Sequence, residues 1–157
     1  MTIREARIED MKAVLGLIHE LAVFEKEAGA VEITLEDLKR DGFGENPLFH
    51  CFVAEVNQQI EGMALVYPRY STWKGPTIHL EDLIVRDGSR GNGFGMALLT
   101  EVIKYGAKRG VKRIEWAVLD WNKPAVSFYE QNGANILRDW DIVQMDEQGI
   151  KKFISKL

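Results

Sequence analysis

Residues 83–96 read LIVRDGSRGNGFGM, and this stretch determines how the surrounding chain folds. Its apolar start, Leu83–Val85, is typical of a strand, and the periodic apolar residues from Met96 onward predict a helix. The glycines at 91, 93 and 95 permit positive φ angles and remove side chains that would keep a ligand off the backbone. Because the first turn of a helix leaves its N–H groups unpaired, this glycine turn predicts an anion site suited to a pyrophosphate.

Two common phosphate motifs are excluded at this turn. A Walker loop ends in Gly-Lys-Ser/Thr, whereas Phe94–Met96 supplies neither the lysine nor the hydroxyl. The dinucleotide fingerprint needs Gly-x-Gly-x-x-Gly, whereas here glycines alternate between residues 91 and 95 in mid-chain. The remaining pattern, Arg-x-x-Gly-x-Gly from Arg90, also fits a plain tight connection, so its function depends on the residues around it.

Composition favours an ordinary globular protein. With 157 residues, of which 46% are hydrophobic and 28% charged, we expect one domain, residues 1–157, with its own core. The net charge of −4 argues against a nucleic-acid partner. No run approaches the ~20 apolar residues of a membrane span, and the start of the chain has no signal-peptide core, so we expect a cytoplasmic protein without a membrane partner.

The cysteine and histidines predict neither a disulfide nor a metal site. Cys51 is the only cysteine, and its strand-like surroundings indicate a buried structural thiol rather than a nucleophile. The three histidines are scattered without ligand spacing, so we expect no metal.

Apolar periodicity predicts an α/β protein of the α+β type, in the order β-α-α-β-β-β-α-β-α-β-β. We expect a mixed sheet with helices on both faces, antiparallel hairpins and parallel strand–helix–strand units. The predicted helices run from Ile8 to Phe24, from a capping box at Thr34 to about Gly42, from the glycine turn to about Arg109, and from Pro124 to about Asn132. The predicted strands are Ile3–Ala6, Phe49–Val56, Ile60–Tyr70, Pro76–Val85, Val111–Leu119, Ile136–Met145 and Ile150–Ile154.

Further residues accompany the glycine turn in a recognisable order. Adjacent carboxylates, Glu81 and Asp82, precede it within an apolar strand, and Asn122 and Tyr129 follow it. Carboxylates, Arg-x-x-Gly-x-Gly, Asn and Tyr in this order resemble the GNAT superfamily of acyl-CoA-dependent N-acetyltransferases. DGFGENP at 41–47, the pair His50-Cys51 and VAEV at 53–56 are similar to its diamine (spermidine/spermine) N-acetyltransferase group. The resemblance covers nearly the whole chain and implies the GNAT fold.

The resemblance implies acetyl-CoA as co-substrate and assigns residues to it. The pyrophosphate would lie on the N–H groups of 91–96 with the charge of Arg90 nearby. By resemblance, the pantetheine arm would pair with the backbone of 83–85 in a gap between splayed strands, an N–H near Leu83 would polarise the thioester carbonyl, and Asn122 would bind the cofactor on its far side. The expected cofactor-binding residues are therefore Leu83, Ile84, Val85, Arg90, Gly91, Asn92, Gly93, Phe94, Gly95, Met96 and Asn122.

Acetyl transfer to an amine requires a base and an acid. An alkyl amine has a pKa of about 10.4, so only on the order of one molecule in a thousand carries a free lone pair at pH 7. Glu81 is our candidate for the base, acting directly or through one water. Tyr129 matches the family position of the acid that protonates the departing thiolate, although Phe128 and Tyr129 also fit the core anchors of a short helix. No covalent acyl-enzyme is needed.

Acidic residues predict a small cationic acceptor, either a diamine or polyamine or a thialysine-like amino acid. Strict strand alternation places Glu81 and Asp82 on opposite faces, so both face one site only if a β-bulge intervenes. Arg138 stands where the polyamine enzymes tend to carry an acid, and it suits a substrate carboxylate. Ser89 stands where an aromatic or aliphatic residue is usual. The acids expected to bind the acceptor are Glu25, Glu27, Glu81 and Asp82, with Asp139 and Asp141 as weaker candidates. By resemblance, Phe24, Glu25 and Trp140 stand at positions near the polyamine, where aromatic faces add cation–π attraction.

Alternatives remain open at this level. The enzyme class also includes amino-acid and protein N-terminal acetyltransferases, and the chain also fits a non-catalytic regulatory module that binds coenzyme A. The resemblance alone implies a homodimer, in which the C-terminal strands pair or exchange between subunits.

Overall fold

The computed structural model describes residues 1–157, which divide into two compact units, Met1–Ala117 and Val118–Leu157. The first unit contains β1 (Thr2–Glu5), α1 (Met11–Phe24), α2 (Leu35–Phe43), β2 (His50–Val56), β3 (Gln59–Ser71), β4 (Gly75–Val85), α3 (Phe94–Lys108) and β5 (Ile114–Glu115). The second contains α4 (Lys123–Gln131) and α5 (Glu147–Ile154). None of the helices has the length and apolar character needed to cross a bilayer.

The five strands form one mixed sheet in the order β1-β2-β3-β4-β5. The pairs β1–β2, β2–β3 and β3–β4 are antiparallel, and β5 runs parallel to β4 after the α3 crossover. Helices α1 and α2 cover one face, where Leu17 and Leu38 pack against Val53 and Met63. Helix α3 covers the other face, where Tyr105 lies edge-on to Phe52. The predicted mixed sheet with helices on both faces is confirmed.

Local signals explain where several elements begin and turn. Thr34 and Asp37 form the expected capping box at the start of α2. Asn57 and Gln58 adopt φ angles of 48° and 64°, which gives the tight turn of the β2–β3 hairpin. Gly110 follows α3 at a φ of 68°, a conformation that glycine adopts without strain.

The buried cysteine is confirmed as structural. Cys51 lies in β2 with 4% of its surface exposed, against α1. Burial raises the pKa of its thiol to about 12, so the thiol stays protonated and unreactive at neutral pH.

Three predicted strands differ from the structure. Only Ile114–Glu115 of the predicted strand Val111–Leu119 pairs with β4, opposite Ile78 and His79. The predicted strands Ile136–Met145 and Ile150–Ile154 are wrong: the former has no ladder, and the latter lies within helix α5. Helix α5 forms because the Asp146 carboxylate accepts the N–H of Gly149 at 2.7 Å, and because Glu147 and Lys151 pair one turn apart.

Candidate active site

The glycine turn presents an uninterrupted run of backbone donors. Gly91 and Gly93 have φ angles of 78° and 80°, and Gly93 is the N-cap of α3. The six N–H groups from Gly91 to Met96 donate no hydrogen bond within the chain. A Cβ built on Gly91 or Gly93 would meet no atom within 4 Å, so the space beside the backbone is open. The turn therefore has the donors and the room that an anionic group needs.

Side chains fix this turn to the sheet. The Ser89 hydroxyl donates to the Glu61 carboxylate at 2.7 Å, and Arg86 approaches the same carboxylate at 3.4 Å. Arg90 donates from Nε to the carbonyl of Val85 at 3.0 Å. Ser89, which departs from the family pattern, thus anchors the turn to the sheet through its hydrogen bond with Glu61.

The outer edge of β4 is unpaired next to this turn. β4 pairs with β5 only at Ile78 and His79, so no strand lies beside residues 80–85 on that side. Along this stretch Ile84 and Val85 are buried, while Leu83 is only partly so. Residues 83–85, to which the resemblance assigns the pantetheine arm, lie on this free edge.

A β-bulge brings the two adjacent carboxylates to one site. Asp82 opposes Leu65 and Leu80 opposes Val66, so Glu81 has no opposing residue on β3. A bulge interrupts the alternation of side chains, and Glu81 and Asp82 line the same cavity. The sequence allowed both acids to face one site only if a β-bulge intervened, and the structure has that bulge.

The cavity has a volume of about 350 Å³ and combines an apolar wall with carboxylates. Its carboxylates are Asp37, Asp41, Glu81 and Asp82. Arg40 lies 3.0 Å from Asp37 and 2.9 Å from Asp41, whereas no salt bridge reaches Asp82. The apolar wall is formed by Ile18, Ile33, Leu38, Leu48, Phe49 and Leu65. A hydrocarbon chain that carries an ammonium group fits this combination.

Asp82 is the most strongly perturbed acid of the cavity. Burial, followed by the charges of Glu81 and Glu25, raises its pKa to about 6. Burial also raises the pKa of Glu25, which follows α1 directly. The charges of Glu25 and Glu81 therefore both act on Asp82. A cation is attracted by all three.

Two neighbours of Glu81 were missed at the sequence level. The Tyr67 hydroxyl donates to Oε2 of Glu81 at 2.9 Å, and Nε2 of His79 lies 3.7 Å from the same oxygen. Burial, together with the hydrogen bond to Glu81, raises the pKa of Tyr67. The only signal for them in the sequence was their position on two consecutive predicted strands. The β3–β4 register places Tyr67 opposite His79.

Phe24 lies beside the glycine turn. The guanidinium carbon of Arg90 lies 5.3 Å from the centroid of the Phe24 ring. Contact of this type is worth about 0.5–1 kcal/mol at an exposed site. The end of α1, where the acceptor acids begin, therefore contacts the turn that is expected to hold the cofactor.

The remaining candidates lie in the second unit. Oδ1 of Asn122 caps α4 by accepting the N–H of Ala125 at 3.4 Å. Tyr129 is buried, which raises its pKa, so its phenol keeps its proton at neutral pH. Trp140 is 68% exposed. It lies in a segment without regular structure, which also contains Arg138, Asp139 and Asp141.

Comparison with known proteins identifies the family. The model of the acetyltransferase (GNAT) family matches residues 14–134. The chain is 38% identical to a thialysine N-epsilon-acetyltransferase of Bos taurus, over 98% of this chain and 97% of that protein. It is 42% identical to the enzyme of that name from Mus musculus, over 87% and 85%. An integron cassette protein of V. cholerae shares the fold at a TM-score of 0.80, with 20% identity over 98% of this chain and 96% of that one. The chain therefore belongs to the GNAT acetyltransferase family and is an N-acetyltransferase.

Proposed function

We propose that the protein transfers the acetyl group of acetyl-CoA to the terminal amine of a small cationic acceptor, by direct attack in a ternary complex. The observation that carries the proposal is the bulge at Glu81, which directs two adjacent carboxylates into one partly apolar cavity. An acidic cavity of this kind attracts an ammonium group and offers it a base.

The co-substrate would be held by the glycine turn and the free edge of β4. The N–H groups of 91–96 suit its diphosphate, with Arg90 contributing charge, and residues 83–85 suit its pantetheine arm. Asn122 is the further candidate. Acetyl-CoA supplies the thioester whose carbonyl carbon is attacked.

Proton transfer would be divided between Glu81 and Tyr129. Glu81 takes a proton from the acceptor ammonium, directly or through one water, and frees the lone pair that forms the C–N bond. When the C–S bond breaks, Tyr129 gives a proton to the thiolate sulfur. The nitrogen loses two protons in forming the amide and the sulfur gains one, so one proton reaches solvent in each turnover.

We favour a thialysine-like amino acid as acceptor, with a diamine or polyamine as the second candidate. Relatives that cover most of the chain carry the name thialysine N-epsilon-acetyltransferase, and another, 36% identical over 76% of the chain, is an L-ornithine N5-acetyltransferase of Arabidopsis thaliana. With such a substrate, Asp82, Glu25 and Phe24 would lie beside the cationic chain, and Trp140 is a further candidate. Arg138 would pair with the carboxylate that a polyamine lacks.

An acceptor panel tests the proposal. Release of the coenzyme A thiol would be followed with thialysine, putrescine, spermidine and an aminoglycoside, for the native protein and for Glu81→Gln. We expect turnover with thialysine to exceed that with the others, and Glu81→Gln to abolish it. Selective turnover of a free α-amine or a peptide N-terminus would favour the amino-acid or N-terminal alternative, and binding of coenzyme A without any turnover the regulatory module.

We further propose that residues 1–157 act as one catalytic domain, as a homodimer in the cytoplasm. The family match supports one domain, because residues 14–134 include parts of both compact units. Exposed apolar side chains in the second unit support a second copy as partner: Trp140, Ile142 and Val143 are 68%, 74% and 93% exposed. Light scattering of the purified protein at the mass of one chain would exclude the dimer.

A further inference from the structure

His79 lies on β4 two residues before Glu81 and links the cavity to a chain of polar contacts. Its Nε2 atom lies 3.7 Å from Oε2 of Glu81, and its Nδ1 atom lies 3.4 Å from Nη1 of Arg69. Arg69 in turn donates to Glu115 on β5 at 2.9 Å. The His79 side chain is only 17% exposed, so these contacts define its surroundings.

The contact with Arg69 selects one imidazole tautomer. A guanidinium group can only donate hydrogen bonds, so Nδ1 of His79 must be the acceptor. The proton of the neutral imidazole is then on Nε2, the atom that faces Glu81. Tyr67 donates a hydrogen bond to the same oxygen, whereas the Nε2–H group of His79 lies beyond hydrogen-bond distance and makes a charge–dipole contact with it; Oε1 has neither contact.

We propose that His79 is a positioning residue for Glu81: the hydrogen bond from the Tyr67 phenol holds one carboxylate oxygen, the dipole of the neutral imidazole orients it, and the other oxygen is left for the acceptor amine. The inference rests on the proposed role of Glu81 as base. A base held in one orientation needs no rearrangement when the ammonium group arrives, and misplacement of such a group by 1 Å costs up to about a hundredfold in rate.

Burial favours the neutral form of His79. Burial lowers its pKa below the ordinary value, the charge of Glu81 opposes this shift, Arg69 adds to it and Glu115 opposes it. Arg113, on the chain beside Glu115, completes the charged groups of this region. Acidification converts His79 to an imidazolium that pairs with Glu81 and cancels the charge that the acceptor ammonium needs. Protonation of His79 therefore contributes to the fall of kcat/KM for the acceptor at low pH, which is the acid limb of the pH profile.

Opposite shifts in two variants test this role. In His79→Gln, we expect kcat to fall roughly tenfold with an unchanged KM for acetyl-CoA, and the acid limb to move to lower pH because no imidazolium forms. In Arg69→Gln, the limb should move to higher pH, because loss of the guanidinium raises the pKa of His79. In the double variant, the Arg69 substitution should have no further effect. His19→Gln, on the exposed side of α1, is the matched control.

Three outcomes separate this inference from the proposed function. Native turnover in Glu81→Gln would remove the base and the inference together. An inactive Glu81→Gln with a native acid limb in His79→Gln would overturn only the inference. Nitrogen NMR of the native protein gives a test that needs no variant: we expect neutral His79 with its proton on Nε2, and a proton on Nδ1 would overturn the inference.

Discussion

The Ser89 hydroxyl donates a 2.7 Å hydrogen bond to Glu61, the residue of β3 that has no opposing residue on β2. Gly62 opposes Ala54 and Ile60 opposes Glu55, so a second bulge leaves Glu61 free to reach the turn. The sheet thus has two bulged glutamates, one that anchors the glycine turn and one in the acceptor cavity.

Ser89→Ala should loosen the turn. Because the hydrogen bond ends on a carboxylate, we expect the free energy of unfolding to fall by about 1.5 kcal/mol and the Kd for coenzyme A to rise about fivefold. Urea unfolding and calorimetry measure the two effects. Ser155→Ala, at the exposed end of α5, should change neither. Native affinity in Ser89→Ala would mean that the anchor does not shape the turn.

Gly93→Ala should impair cofactor binding more than it destabilises the fold. At a φ of 80° an alanine costs about 1–2 kcal/mol, and the methyl group points into space beside the donor N–H groups. We expect the Kd for coenzyme A to rise at least tenfold. Gly16→Ala is the matched control, because Gly16 lies within α1 with no atom near its missing Cβ. In that variant the free energy of unfolding should rise by about 0.5–1 kcal/mol, and the Kd for coenzyme A should stay native.

Asp82→Asn should stabilise the protein while weakening acceptor binding. The folded pKa of about 6 lies above the ordinary value of 3.8, so the folded state binds more protons than the unfolded chain between these pH values. The native free energy of unfolding therefore falls as the pH rises through this window. Above pH 6 the variant should be more stable by at most about 3 kcal/mol, and below pH 4 the difference should vanish.

The same substitution removes a charge that faces the acceptor, so its KM should rise at least tenfold. Asp120→Asn, at an exposed turn position before α4, serves as the control for both measurements. An equal gain in stability at pH 4 and pH 7 would contradict the account, because the effect would then not come from the ionisation of Asp82.

Tyr129→Phe should lower kcat at least a hundredfold and change the Kd for acetyl-CoA less than twofold, because only the proton donor is lost. Steady-state kinetics and calorimetry measure the two effects. Tyr70→Phe, at an exposed position near the end of β3, is the control and should keep native kinetics. Equal turnover in Tyr129→Phe would leave Tyr129 only a packing role.

Local signals in the sequence predicted much of this molecule. The glycines of the turn, the capping box at Thr34 and the apolar periodicity of α1 and α3 act within a few residues, so they can be recognised along the chain. The predictions of the last two strands are wrong because local signals do not show whether a strand has a pairing partner. Residues 136–145 have none in the sheet.

The acceptor cavity depended on cross-strand register. The bulge at Glu81, and the contact of that residue with Tyr67, follow from how β4 aligns with β3, over 14 residues of separation. A slip of one residue reverses which side chains share a face. The sequence could therefore state that both acids face one site only if a bulge is present.

We expect the backbone amides of the glycine turn to hold the diphosphate of the acyl carrier. Amide proton–nitrogen NMR during a titration with coenzyme A tests it most directly. The account predicts that the signals of Gly91 to Met96 shift most, and that dephospho-coenzyme A, which keeps the diphosphate, reproduces these shifts. Saturable binding that leaves these amides unshifted, or no binding, would contradict it.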